Sequence, residues 1–345
     1  MPQAPCPCPQ IEGCPQHERI SLRLAQAHPC GCPGRSLPIR PGCPGQCPRG
    51  DISGILNLDK PAGWTSHDVV ARVRRLTGQR RVGHAGALDP FATGVLLICL
   101  GQATRVSEYL MEAPKLYRAR IRFGTATDTY DLTGAVTAQS DTIPSQETIE
   151  GLLPCFVGRI LQRPPAYSAL KQAGEPAYRR ARRGEAVAPT ARPIEIYGIR
   201  LRSWTPPDLE IEVRCGKGTY IRSLAHDLGL AAGSAAHLAA LQRRAVGHFT
   251  IEEAIPLAEL EASIEQDGWR EFLYPLDEAL LHYPALVLPA EDIARLLHGQ
   301  PVAAGPVTGG EIRRVYGTDG EFIALVQGDA QAGLWRPHKV FAVCA

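Results

Sequence analysis

Gly83-His84-Ala85-Gly86-Ala87-Leu88-Asp89-Pro90-Phe91-Ala92-Thr93-Gly94 runs directly into the apolar stretch Val95-Leu96-Leu97-Ile98-Cys99-Leu100. So short a continuous apolar run reads as a buried strand. A strand of that kind gives a glycine-bracketed loop a rigid anchor, and the loop carries one carboxylate, Asp89, placed as a reactive group would be. Spacing alone admits another reading. Asp followed by Pro is also a helix start, with Asp89 as N-cap and Pro90 in the first helical position.

The flanking pattern alternates between strand and helix periods. Gly54 to Leu58 predicts a strand ending at the turn Pro61-Ala62-Gly63. Ser66 then caps a helix whose Val69, Val70, Val73 and Leu76 share one face, and Gly78 stops it. Tyr117, Ala119, Ile121 and Phe123 alternate with Arg118, Arg120 and Arg122, a half-buried strand. Leu209 to Cys215 alternates in the same way and ends at Gly216-Lys217-Gly218. Thr219 then caps a helix carrying Ile221, Leu224, Ala225 and Leu228. Tyr220 and Arg222 fall in its first turn, where side chains point into a cleft and the helix N-terminus favours anions. Ser234 to Arg244 reads as a further helix, followed by a short strand near Val246 to Thr250. Beyond Pro284 the pattern becomes a helix, Ala290 to Leu297, then short strands at Ile312 to Tyr316, Phe322 to Val326 and Lys339 to Val343. Asp319-Gly320 supplies a hairpin turn between two of them.

A chain of 345 residues, 44% hydrophobic, is long enough for two domains. Its formal net charge of only +2 conceals two basic clusters, Arg72, Arg74, Arg75, Arg80 and Arg81, and Arg179, Arg180, Arg182 and Arg183. Each is either a solvated face or a phosphate-binding patch. No apolar run approaches the roughly 18 to 20 residues of a membrane-spanning helix. The N-terminus lacks the pattern of a secretory leader, so a soluble, cytoplasmic protein is expected. Cys6, Cys8, Cys14, Cys30, Cys32, Cys43 and Cys47 crowd an opening segment rich in Pro and Gly, which reads as disordered. Their spacings fit no standard zinc module. Cys99, Cys155, Cys215 and Cys344 stand among apolar neighbours and read as core.

The Gly-His-x-Gly-x-Leu-Asp-Pro loop resembles the signature of the TruB-type tRNA pseudouridine-55 synthases. Further blocks match in the same order: Leu58 to Ser66, Lys115-Leu116-Tyr117-Arg118, Thr127-Asp128-Thr129-Tyr130-Asp131, Tyr167-Ser168-Ala169-Leu170-Lys171, and Gly216 to Ser223. The resemblance runs from about Gly54 to about Phe249, with Ala85 where the family more often has Thr. It implies a mixed α/β (α+β) fold with a central, largely antiparallel sheet flanked by helices, and a small C-terminal PUA-like β-barrel. The expected divisions are a disordered extension over 1–50, a catalytic domain over 51–255, a connecting segment over 256–283 and a PUA-like RNA-binding domain over 284–345.

The implied reaction breaks the bond from uracil N1 to ribose C1′, turns the base and joins C1′ to C5. No GxGxxG, Walker, HExxH or paired CxxC motif is present, so no cofactor and no catalytic metal are expected. By resemblance Asp89 is the catalytic carboxylate, acting either on C1′ as nucleophile or on a neighbouring ribose proton. Arg222 would pair with it, Tyr117 would stack on the base, and His84 and Tyr220 would line the pocket. Leu241 and Asp128 are lesser candidates. So is Lys60, which would contact phosphate or support the loop. The implied partner is the T arm of tRNA, with the target uridine flipped out of its stack, and a monomer with no obligatory protein partner is expected. Two rivals stand beside this reading: an RNA-binding or RNA-folding protein that does not depend on catalysis, and a guide-RNA-dependent relative that works inside a larger assembly.

Overall fold

The computed structural model describes residues 52–168, 171–172, 175–176, 183, 189–265 and 268–341. The expectations for residues 1–50, for Arg179, Arg180 and Arg182, and for Cys344 lie outside them. Eight strands form the spine: β1 (Gly54–Lys60), β2 (Val82–His84), β3 (Thr93–Leu100), β4 (Lys115–Phe123), β5 (Gly158–Gln162), β6 (Arg192–Thr205), β7 (Asp208–Cys215) and β8 (Ala236–Val246). With β9 (Ile255–Pro256) and two short strands, Phe249–Thr250 beside β8 and Leu273–Tyr274 beside β1, they build one sheet whose main path runs β9-β1-β3-β8-β4-β7-β6-β5, and β2 pairs with β3 off this path. All neighbours are antiparallel except β1 with β9 and β3 with β8. The expected mixed, largely antiparallel sheet is therefore present.

Val95 to Leu100 is continuous in hydrophobicity because both faces of β3 are covered. Its even residues Leu96, Ile98 and Leu100 meet Val69, Val70 and Val73 of α1 (Ser66–Thr77) and Leu257 and Leu260 of α5 (Leu257–Ile264). Its odd residues Val95, Leu97 and Cys99 turn to the other face, with Val106 and with Leu110 of α2 (Ser107–Glu112). A third core joins β4 and β7 to Ile149 and Leu152 of α3 (Gln146–Leu152) and to Leu224, Ala225 and Leu228 of α4 (Ile221–Ala231). Cys215 is buried there, and Cys155 is half-buried. No helix among the described residues is long and apolar enough to cross a membrane.

Several expectations are corrected locally. Thr65, not Ser66, caps α1: its hydroxyl accepts from the Asp68 amide, and Asp68 returns a bond to the Thr65 amide. Gly78 stops that helix in the left-handed conformation, as expected. Tyr220, not Thr219, is the N-cap of α4. Asp89 caps no helix and stands in an irregular loop ahead of β3. Ser234 to Arg244 is not a helix but most of β8, hydrogen-bonded on both sides. Its Ala, Leu, Gln and Arg favour helices, but that weak preference yields to the pairing of a central strand.

The C-terminal part is not a β-barrel. Strands β10 (Ala285–Leu288), β11 (Ile312–Gly317), β12 (Phe322–Asp329) and β13 (Leu334–Val340) form an open sheet in that order, and its edges do not meet. Leu296 of α6 (Ala290–Leu297) joins Leu288, Val315, Val326 and Trp335 in a small core, so a helix covers the sheet that closure would otherwise have to seal. Pro337, within the edge strand β13, has no N–H to offer to a closing partner.

Candidate active site

A cleft of about 1040 Å³ opens where β3 and β8 meet, a junction of only two paired positions, Gln242 with Thr93 and Arg243 with Gly94. Asp89, His84, Tyr117, Tyr220, Arg222 and Leu241 all line it. The loop that carries Asp89 is fixed from several sides. Lys60 is fully buried at the end of β1 and donates to the carbonyls of Pro61, Trp64 and Pro90 at 2.8, 2.6 and 3.2 Å. Of the two roles open to Lys60, this placement matches loop support. Burial pushes its pKa down to about 8, opposed by Asp89. The Ser66 hydroxyl accepts from the Leu88 amide at 2.8 Å, and the Gly63 amide donates to Pro90 at 2.8 Å. From β8, the buried Arg243 donates to the carbonyls of Val95, Gly86 and Ala87 at 2.7, 3.0 and 3.3 Å.

Arg222 projects from the first turn of α4. Its Nη2 donates to Asp89 Oδ1 at 3.0 Å, and its Nε lies 3.0 Å from Oδ2. The same guanidinium donates to the carbonyls of Tyr167 and Thr129 and stands 3.3 Å from Asp131 Oδ2. One arginine thus bridges two carboxylates. Burial raises the Asp89 pKa from its ordinary value, Arg222 opposes the rise, and Asp131 adds to it. Burial, reinforced by Arg243, lowers the His84 pKa and so favours its neutral ring. Burial likewise raises the phenols of Tyr117 and Tyr220, with Arg243 opposing at Tyr117 and Arg222 at Tyr220. Gln162 holds Tyr220 by its backbone, accepting from its amide at 2.8 Å and donating to its carbonyl at 3.0 Å.

Asp128 is not at the cleft. Its carboxylate accepts from the Ala135 amide and closes a turn. Of the first basic cluster, Arg72 pairs with Glu261 and Arg74 donates to the Val82 carbonyl, while Arg75, Arg80 and Arg81 are exposed.

Residues 74–221 match the TruB family pseudouridylate synthase N-terminal domain. Residues 222–281 match the tRNA pseudouridylate synthase B C-terminal domain, and 284–337 match the C-terminal domain of pseudouridine synthase II TruB. The chain is 43% identical over 291 residues to tRNA pseudouridine synthase B of Dehalococcoides mccartyi, covering 84% of this chain and 97% of that relative. Against the protein of the same name from Synechococcus elongatus it is 45% identical over 298 residues, covering 84% and 98%. The chain belongs to the TruB family.

Among solved structures, this TruB family member is similar to a chain from an H/ACA RNP bound to a substrate RNA containing 2′-deoxyuridine. The TM-score is 0.65 at 27% identity, over 84% of this chain and 86% of that one. The cleft residues that sequence reasoning missed include Gln162, Asp131 and Arg243. Asp131 lay inside the quoted Thr127 to Asp131 block without an assigned role. Arg243 lay in the segment read as a helix, where its direction could not be assigned.

Proposed function

We propose that Asp89 is the catalytic carboxylate of this chain, acting at C1′ or C2′ of the flipped-out uridine at position 55 in the T loop of tRNA. Membership of the TruB family supplies the reaction class: the chain isomerises uridine to pseudouridine in tRNA. The observation that carries the assignment is the Asp89–Arg222 pair, made on both carboxylate oxygens at the wall of a cleft of base-accepting size. A carboxylate there meets the electron-poor C1′ that departure of the base creates. Arg222 offsets the cost of holding the anion away from water. Tyr117 stacks on the detached base, His84 and Tyr220 shape the pocket, and Leu241 packs its wall. Water must be kept from C1′, since hydrolysis would leave an abasic nucleotide.

In this reading the chain works as a monomer without an obligatory protein partner. Residues 51–255 carry the chemistry, 256–283 connect, and 284–345 contact RNA. The purified chain incubated with an unmodified tRNA transcript is expected to convert the T-loop uridine, mapped by mass spectrometry. Asp89→Asn is expected to bind the same transcript and form no pseudouridine. Product from Asp89→Asn at the wild-type rate would sink the assignment. Activity that appears only with an added guide RNA and partner proteins would favour an assembly of the H/ACA kind.

A further inference from the structure

Tyr130 is, among the described residues, the only one other than glycine with a positive φ, 62°. A left-handed backbone crowds the Cβ of a bulky residue against its own chain, so other contacts must hold it there. The Tyr130 amide donates to the Thr127 carbonyl at 3.2 Å, and its carbonyl accepts from the Leu238 amide at 2.9 Å. Its ring lies on the imidazole of His226, with centroids 3.9 Å apart and planes 9° from parallel. His226 stands on α4 four residues beyond Arg222, one turn along the same side of the helix. The two neighbours of Tyr130 in the chain are the groups that grip Arg222: Nη1 meets the Thr129 carbonyl at 3.1 Å and the Asp131 carboxylate at 3.3 Å.

One helix therefore carries the guanidinium and, a turn later, the ring against which the gripping loop is stacked. We propose that the Tyr130–His226 stack is a positioning clamp for the pseudouridine-forming reaction, holding the left-handed turn that sets Thr129 and Asp131 on Arg222 and so sets Arg222 on Asp89. Neither ring lines the cleft, so the pair acts through Arg222 and not on the reacting nucleotide. His226 Nδ1 is buried without a hydrogen-bond partner, as suits a ring retained for its face and not for its nitrogens.

The inference rests on the Asp89–Arg222 reading above. His226→Phe keeps a flat ring and His226→Ala removes it. On the tRNA transcript, His226→Ala is expected to lower kcat about 10- to 100-fold with KM unchanged, as a small misplacement near a reacting centre does. His226→Phe is expected to restore most of that loss. Tyr130→Asn, which tolerates the left-handed backbone but lacks the ring, should behave as His226→Ala does, and it carries the comparison if His226→Ala melts below the assay temperature. Wild-type kcat in His226→Ala, or equal losses in His226→Ala and His226→Phe, would overturn the clamp. A rise in KM alone would also overturn it, placing the Tyr130 ring on the RNA. Undiminished product from Asp89→Asn would instead remove the underlying reading, so the two failures are told apart.

Discussion

Arg222 faces two carboxylates whose surroundings differ. The Asp131 side chain is 5% exposed and accepts from the Thr129 hydroxyl, the Thr133 amide and the Thr133 hydroxyl. The Asp89 side chain is 32% exposed and opens on the cleft. Asp131 is thus committed to structure, and Asp89 keeps the open face that its proposed role requires. Because burial raises the Asp89 pKa, its anion is lost on acidification at a higher pH than an exposed aspartate's would be. An activity that needs the anion then falls as pH drops through that raised pKa, so the acid limb of kcat/KM lies higher than an exposed aspartate would place it. Arg222→Lys keeps a charge but cannot span both carboxylates and two carbonyls. It is expected to lower kcat/KM by roughly 100-fold and to move the acid limb to still higher pH. A limb that stays in place in the pH-rate profile would show that Arg222 does not control the charge on Asp89. At this scale the Asp89–Arg222 contact was legible only through the family resemblance, and Asp131 had no role assigned to it. Asp128 and Asp131 look equivalent in the linear sequence, and only the backbone turn at Tyr130 decides which one reaches the guanidinium.

The central strand β8 shows why some elements resist reading. Bulges between Leu238 and Ala240 and between Arg243 and Ala245 break its alternation twice, so a period of two never runs long enough to be seen. Strands β4 and β7 carry no such interruption across Tyr117 to Phe123 and Leu209 to Cys215, and both were legible. The bulged strand brings Arg243 against Gly94, at the junction on which the Asp89 loop is hung. Gly94 has a φ of 102°, and a Cβ there would lie 2.2 Å from the Arg243 carbonyl oxygen. Backbone on both sides leaves no flexible side chain to move away. Gly94→Ala is expected to destabilise the fold by about 3 kcal/mol or more, read as a fall in the denaturant midpoint. It should also lower activity below what the lost stability explains, because Arg243 anchors Gly86 and Ala87. A variant with wild-type midpoint and rate would show that the junction is not under this constraint.

Across the whole molecule, a separate four-stranded sheet begins just beyond Pro284, yet packing does not end there. Leu325 and Phe341, from the C-terminal sheet and the residue just past its last strand, are buried in one core with Ile55, Val95, Leu97, Val106 and Leu110. Polar contacts follow the same seam. Arg105 donates to the Val340 carbonyl at 2.6 Å with its guanidinium over the Phe341 ring, and Lys339 pairs with Glu108. The Tyr316 hydroxyl donates to Asp277 at 2.6 Å. A composition shift records which elements a segment forms, but a single aromatic residue reaching back across the seam leaves no periodic trace. Because the apolar cluster is shared, the two regions should unfold together, in a single calorimetric transition. Phe341→Ala removes a ring that is 4% exposed and is expected to cost about 3 to 5 kcal/mol, enough to separate the melting of the C-terminal sheet from that of the rest. Two transitions already present in the unsubstituted chain would show that the shared core does not couple the regions. A single transition with little loss in Phe341→Ala would place the coupling in the polar seam instead.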